Sequence, residues 1–286
     1  MKMSAASPPP VETIREQCAL ALAEDLGKPN SDPSAALIEK NKILQAEVIC
    51  REAAVVCGRP WFDAIMHQLN KTIEIDWKVS EGQQVEAHTL LCRLQGSARD
   101  LLSGERSALN FLQTLSATAT QTQRYVDAIA DTGAQLLDTR KTLPGLRLAQ
   151  KYAVRCGGGC NNRIGLFDMI MLKENHIIAA GSISGAVSQA KAHYPDLEIE
   201  VEVETLSQLE EALAADVSRI LLDNMTLEDL RTAVKRSAGK TPLEASGGVD
   251  LKTIREIALT GVDYISTGAI TKHVQAIDLS MRFTDA

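Results

Sequence analysis

AQLLD at 134–138, DMIMLK at 168–173, LEIEVEVE at 197–204, SRILLD at 218–223, TPLEAS at 241–246 and VDYIST at 262–267 are short aliphatic or β-branched runs, each separated from the next by a helix-length segment. Strands that alternate with helices must return to the same end of the sheet, so the sheet is parallel. Six or seven such units close into a barrel rather than stay open. The second half of the chain is therefore read as a β/α barrel, although the repeating units are not alike in sequence.

Working outward, the first half has a different rhythm. A short arm ends at Pro8–Pro10, and Val11 to Leu26 then carries apolar residues at helical spacing and stops at Gly27. Lys28 to Ser34 is a polar loop. Gln45–Cys57 and Ile73–Leu94 are rich in Val and Ile, with a turn signal at Glu81–Gly82, and Trp61–Leu69 reads as a helix between them. From Glu105 to about Asp131 a long helical pattern leads into the barrel. This first part reads as an α+β module.

The 286 residues exceed one ordinary domain, and 45% hydrophobic with 23% charged residues is the composition of a folded two-domain chain. A net charge of -7 argues against nucleic acid or an anionic membrane surface as partner, because both would be repelled on average. No stretch approaches the ~20 apolar residues of a membrane span, and MKMSAASPPP lacks the apolar core of a signal peptide, so a cytoplasmic protein is expected. Its six cysteines are then expected as free thiols. Cys156 and Cys160 form a CxxxC pair without a second ligand pair, which is not a zinc signature.

The informative feature for function is where polar residues fall. Asp138, Arg140 and Lys141 follow the first barrel run, Lys173 and Glu174 the second; Glu202 lies in the third, Asp223 ends the fourth, and Ser246-Gly247-Gly248 and Ser266-Thr267-Gly268 follow the last two. In a β/α barrel these positions meet at the C-terminal face, where barrel enzymes hold their active sites. Four cations, Arg140, Lys141, Arg163 and Lys173, imply substrates with several carboxylates or phosphates. Glu202 and Asp223 suit a divalent metal bound through phosphate, or a cationic transition state. The two small-residue turns suit a phosphate held by backbone N–H groups.

Plainer readings stand beside these. Glu198, Glu200, Glu202 and Glu204 share one side of their strand and would be one solvated face of an edge strand. Asp223 would cap a helix opening at Met225. Arg106 would be an ordinary helix-surface residue. His176 and His273 follow strand ends, but no Ser/His/Asp arrangement, HExxH, P-loop or GxGxxG is present, which removes zinc hydrolysis, P-loop chemistry and dinucleotide redox chemistry as leading ideas.

LDTRKTLPGLR at 137–147, KYAVRCGGGCNNRIGLFD at 151–168, MLKENHI at 171–177, LLDN at 221–224 and GVDYISTGAITKHV at 261–274 closely resemble the quinolinate phosphoribosyltransferase family of the bacterial type. The resemblance runs from about Val11 to the C-terminus. It implies an N-terminal open-faced α/β sandwich at about 1–115, an incomplete parallel β/α barrel at about 116–274, and a C-terminal tail, about 275–286, that returns to the first domain. It further implies phosphoribosyl transfer from phosphoribosyl pyrophosphate to quinolinate with decarboxylation, with Mg²⁺, in a homodimer with shared active sites whose assembly beyond the dimer stays open.

By motif match, Arg140, Arg163 and Lys173 resemble the family's carboxylate and phosphate contacts, with Lys141 beside the reacting centre. Glu202 and Asp223 resemble acids near the ribose and metal, reached directly or through phosphate, ribose or water. Ser246, Gly247 and Gly268 resemble phosphate contacts, His273 is a weaker match, and Arg106 resembles the residue supplied by the neighbouring subunit. Asn162 stands where the family pattern GGGxNHR has histidine, so a role needing an imidazolium is in doubt. The loop at Gly27–Ser34 also departs from the family's usual GxGD run. Competing readings are a nicotinate phosphoribosyltransferase, a Schiff-base aldolase using Lys141 or Lys173, and a catalytically silent homologue.

Overall fold

In the computed structural model, residues 7–28 and 31–284 are described; most of the N-terminal arm and part of the polar loop at 28–34 lie outside them. The Val11–Leu26 helix (α1) forms where the apolar spacing predicts it and stops at Gly27, which has φ of 63°. Strands β1 (Ile43–Cys50), β3 (Glu74–Trp77), β5 (Thr89–Ser97) and the C-terminal β12 (Leu279–Thr284) build an antiparallel sheet in the order β12-β1-β5-β3. Helix α2 (Arg59–Leu69) follows the short strand β2 (Ala54–Val55), which pairs with β4 (Gln84–Val85). Trp61, Phe62, Ile65 and Met66 project from α2 into the core and are fully buried. Side chains of this size contribute ~1.5–3 kcal/mol each when removed from water.

Helix α3 (Ala98–Ala128) is longer than the reading from Glu105. It runs straight on from β5 because no turn residue intervenes, and the Asp100 N–H donates to Ser97 Oγ at 3.4 Å across the junction.

Beyond α3 the elements alternate: β6 (Gln135–Leu137), α4 (Arg147–Cys156), β7 (Ile170–Leu172), α5 (Glu174–Ala180), α6 (Ile183–His193), β8 (Ile199–Val203), α7 (Leu206–Ala214), β9 (Arg219–Asp223), α8 (Leu227–Ser237), β10 (Leu243–Ser246), α9 (Ile254–Ala258), β11 (Tyr264–Ser266) and α10 (Ala269–Lys272). The last strand, β12 (Leu279–Thr284), pairs antiparallel with β1. Strands β6 to β11 form one parallel six-stranded sheet in the order β6-β11-β10-β9-β8-β7. The first strand pairs with the last, which is the closure of a barrel. Its remaining gap lies between β6 and β7, where a single Leu137–Cys160 bridge extends the edge of β6. The fold is thus mixed α/β, with an incomplete parallel barrel and an antiparallel sheet.

The chain divides into two compact units, one of residues 1–123, 143–158 and 274–286, the other of 124–142 and 159–273. Helix α4 clusters with the first unit although it follows a barrel strand. Among the described residues, no helix is long and apolar enough to cross a membrane.

Helix caps fix where several barrel strands give way to helices. Ser182 accepts from the Gly185 N–H before α6, Thr205 from Gln208 before α7, and Thr226 from Asp229 before α8. The last of these corrects the capping alternative for Asp223. The cap of α8 is Thr226, three residues on, and Asp223 ends β9 with its carboxylate accepting from Asn224 Nδ2 at 2.8 Å. The edge-strand alternative for the glutamates is corrected as well, since β8 pairs on both sides, with β7 and with β9.

Candidate active site

Alternation along each strand decides which side chains enter the barrel. On β8, Ile199, Val201 and Val203 are buried, while Glu200 and Glu202 alternate with them on the other face. The same period places Leu221 and Asp223 of β9, Glu244 and Ser246 of β10, and Ser266 of β11 together along one cleft of about 440 Å³. Lys173 and Met171 line it from β7, Thr139, Arg140 and Lys141 from the loop after β6, and Asn162 and Arg163 from the segment before β7. The parallel register sets Asp223 opposite Ser246.

Eight of the twelve site residues expected from sequence therefore share one cleft: Arg140, Lys141, Asn162, Arg163, Lys173, Glu202, Asp223 and Ser246. Gly247 and Gly268 lie just behind it. At Gly247, with φ of 99°, an added Cβ would sit 2.1 Å from Asn224 Oδ1, so only glycine fits the turn after β10. At Gly268 an added Cβ would meet Lys141 Cδ at 2.8 Å, so the backbone there is the wall that shapes the lysine. His273 follows α10, exposed, and does not line the cleft. Arg106 is exposed on α3, in the other unit.

The electrostatics are those of a site for anions. Burial, and then the neighbouring Arg140, lower the pKa of Arg163, as expected when two guanidinium groups share a cleft. Lys173 and Glu202 are ion-paired. Burial and then Glu202 raise the pKa of Asp223, against the lowering influence of Asn224, Lys173 and Lys141.

Below this layer lies a second, which the strand-end reading missed. Glu200 and Glu244 are both fully buried and face each other. Glu244 is held by Arg219 Nη1 at 3.0 Å and by Asn162 Nδ2 at 3.3 Å. Arg219 in turn stacks over the Tyr264 ring at 4.5 Å. Neither carboxyl oxygen of Glu200 has a fixed hydrogen-bond partner, and burial followed by Glu244 raises its pKa to about 9. Burial thus favours the neutral form of Glu200. A signal was present in the sequence: a single charge inside the apolar run PLEA, and an arginine opening RILL.

Asn162 joins the layers. Its backbone N–H donates to Asp138 Oδ1 at 2.9 Å, its Nδ2 to Glu244, and its Oδ1 accepts from the Arg163 N–H at 2.7 Å. Asp138, fully buried, also accepts from Asn161 Nδ2 at 2.6 Å. The segment carrying Arg163 is thus laced to β6 and to the barrel floor.

A parallel barrel whose cleft brings together four cations and three acidic side chains, Glu202, Asp223 and Glu244, defines an enzyme of polyanionic substrates. Comparison with known proteins gives the family. The profile of the quinolinate phosphoribosyl transferase C-terminal domain matches residues 118–282, and that of the N-terminal domain matches residues 33–116. The chain belongs to the quinolinate phosphoribosyl transferase family. It is 43% identical to a probable nicotinate-nucleotide pyrophosphorylase [carboxylating] of Synechocystis, over 91% of this chain and 89% of that one. Against the nicotinate-nucleotide pyrophosphorylase [carboxylating] of Mycobacterium leprae it is 37% identical, over 94% and 97%. The nicotinate-nucleotide pyrophosphorylase structure from Francisella tularensis superposes with a TM-score of 0.95 at 45% identity, covering 99% of this chain and all of that one.

Proposed function

We propose that the barrel cleft carries out phosphoribosyl transfer from phosphoribosyl pyrophosphate to quinolinate with decarboxylation, giving nicotinate mononucleotide, pyrophosphate and CO₂ in the cytoplasmic de novo synthesis of NAD. The observation that carries this reading is the meeting of Arg140, Lys141, Arg163 and Lys173 with Glu202 and Asp223 in one cleft. Two carboxylates and a phosphorylated sugar supply the anions such a cation cluster requires. A monocarboxylate such as nicotinate would leave more of it uncompensated.

Arg140, Arg163 and Lys173 hold the dicarboxylate, so the pyridine nitrogen is aimed at the anomeric carbon. As pyrophosphate departs, positive charge grows on the ribose, and Glu202 and Asp223 stabilise it through space. The nitrogen then bonds to the anomeric carbon and the ring becomes cationic. That ring accepts the electron pair released when the 2-carboxylate leaves as CO₂, while Lys141 orients the departing group and a proton replaces it. Ser246, with the backbone around Gly247 and Gly268, holds the 5'-phosphate.

The residues fit Mg²⁺. Glu202 and Asp223 are hard oxygen donors, and burial first and Glu202 second raise the pKa of Asp223. Two carboxylates are fewer than its six ligands, so phosphate oxygens and water complete the sphere. When bound, the ion neutralises charge on the leaving pyrophosphate. Arg106, on the other unit, is assigned to the cleft of a partner chain in a two-fold dimer with shared sites.

The test is a mass-spectrometric assay for nicotinate mononucleotide from quinolinate, phosphoribosyl pyrophosphate and Mg²⁺, with nicotinate as control. Product from quinolinate alone is expected. Equal or better turnover of nicotinate, or quinolinate binding without turnover, would overturn the assignment.

A further inference from the structure

Three ligand-type side chains meet away from the barrel cleft. They are Cys57, between β2 and α2, Glu81, in the turn before β4, and Cys156, the last residue of α4. Their sulfur and carboxylate atoms all lie within 4.8 Å of one another. All three belong to the same compact unit. The phosphoribosyl reaction uses none of them. We propose that Cys57, Glu81 and Cys156 form a binding site for one soft or borderline divalent cation, with zinc as the first candidate.

Donor chemistry selects the class of ion. Two sulfurs and one carboxylate oxygen are three of the four positions of a tetrahedral zinc site, and thiolates exclude Mg²⁺ and Ca²⁺ in favour of softer ions. The fourth position is left to water. Tyr152, one turn before Cys156 on α4, neighbours Glu81 and Cys156, and its hydroxyl would orient them around an ion.

The ligands are held before any ion arrives. The Cys57 backbone is fixed at both ends by one side chain: its N–H donates to Ser116 Oγ at 2.9 Å, and that hydroxyl donates to the Cys57 carbonyl at 3.1 Å. Glu81 accepts from the Gly58 N–H at 2.7 Å and the Arg59 N–H at 3.2 Å, at the positive end of the eleven-residue α2. Cys156 is followed by Gly157, where an added Cβ would come within 2.3 Å of the Ala119 carbonyl oxygen. The end of α4 is thereby seated against α3. Little ordering remains to oppose binding. Cys57 is fully buried, whereas Glu81 and Cys156 are partly exposed, which gives an ion a way in.

Binding takes up one M²⁺ ion with two thiols and one carboxylate, forms two metal–sulfur bonds and one metal–oxygen bond, and releases two protons. The product carries one net negative charge, beside the end of α2. Disulfide formation would need an oxidant that the site does not supply. The CxxxC pair seen in sequence is not this site: Cys160 Sγ lies 3.5 Å from Gln135 Oε1, and Cys156 finds Cys57 instead.

The full chain, freshly reduced, is dialysed against zinc in the presence of excess Mg²⁺, and bound metal is measured by elemental mass spectrometry. Cadmium serves as optical probe through its thiolate charge-transfer band. One zinc per chain is expected, with about two protons released per ion and a cadmium band of two thiolates. Cys57→Ala and Cys156→Ser should each abolish stoichiometric retention, while Cys160→Ser keeps it. Should the cysteine variants fail to fold, Glu81→Gln, checked by circular dichroism, must still weaken retention. Any of three results overturns the proposal: no zinc retained by the reduced protein, equal retention in all variants, or displacement of zinc by Mg²⁺.

Discussion

Replacing Glu200 by glutamine probes the carboxyl pair beneath the cleft. Glu200 is fully buried, and burial first and Glu244 second raise its pKa from 4.5 to about 9. The folded chain therefore keeps a proton that the unfolded chain releases above pH 4.5. The stability this group supports is complete below about pH 4.5 and is lost progressively as pH rises toward about 9. Between pH 4.5 and 7 the ceiling is ~3.4 kcal/mol, from about 2.5 units at ~1.4 kcal/mol each. Structural relaxation around the buried group reduces this to ~1–2 kcal/mol. Glutamine keeps the shape, donates to Glu244 and cannot ionise, so Glu200→Gln should be more stable than wild type at pH 8 and nearly equal at pH 5. In a chain of this size ~1–2 kcal/mol corresponds to roughly 2–8 °C in Tm. Thermal melts of both proteins at the two pH values measure it. A variant destabilised equally at pH 5 and pH 8 would refute the neutral-acid assignment.

Arg140→Ala, Arg163→Ala and Lys173→Ala should each raise the quinolinate KM about ten- to a hundredfold, the ~1.5–3 kcal/mol of a charge-assisted hydrogen bond; initial-rate kinetics unchanged in all three would sink the cation pocket. Gly247→Ala should lower Tm and activity together, because φ of 99° and a Cβ 2.1 Å from Asn224 Oδ1 cannot both be relieved in place; a variant with wild-type Tm and kcat would show that the turn accepts a side chain. Asn162→His should keep kcat/KM within about tenfold if the residue only bridges by hydrogen bonds, whereas a hundredfold gain would mark this chain as an impaired homologue. Mixing inactive Arg106→Ala and Glu202→Ala chains should restore activity toward about a quarter of wild type, since a mixed two-fold dimer has one intact site and random pairing makes half the dimers mixed. Mass-verified heterodimers that stay inactive would place Arg106 outside any shared site.

The barrel was legible because its signal is local. Each strand is a short aliphatic run, and the residues that turn it into a helix are caps such as Thr205 and Thr226. The cleft was legible for the same reason, since one rule about strand ends sends Arg140, Lys173, Glu202 and Asp223 to a common place. What stayed hidden depends on contacts between distant segments. Nothing in 279–284 announces pairing with β1, and no spacing brings Cys57 to Cys156. Period two put Glu200 on the same side as Glu202, but not whether that side met water or Glu244.

Asn162 shows how far a change of residue type can be judged without its neighbours. Read alone, asparagine in the place of histidine removes a charge. In the fold it makes a different trade: the Glu244 it touches is already neutralised by Arg219 at 3.0 Å, and burial favours the neutral form of the Glu200 beyond. A cation at position 162 would therefore meet a carboxylate that has its counter-charge, whereas an amide adds a donor without adding a charge to a cleft where burial and then Arg140 already lower the pKa of Arg163. The same amide accepts from the Arg163 backbone, so it sets the arginine whose side chain faces the cleft. The geometry at 162 is that of a hydrogen-bonding brace, and the proposed chemistry of the cleft is assigned to the cations and acids around it.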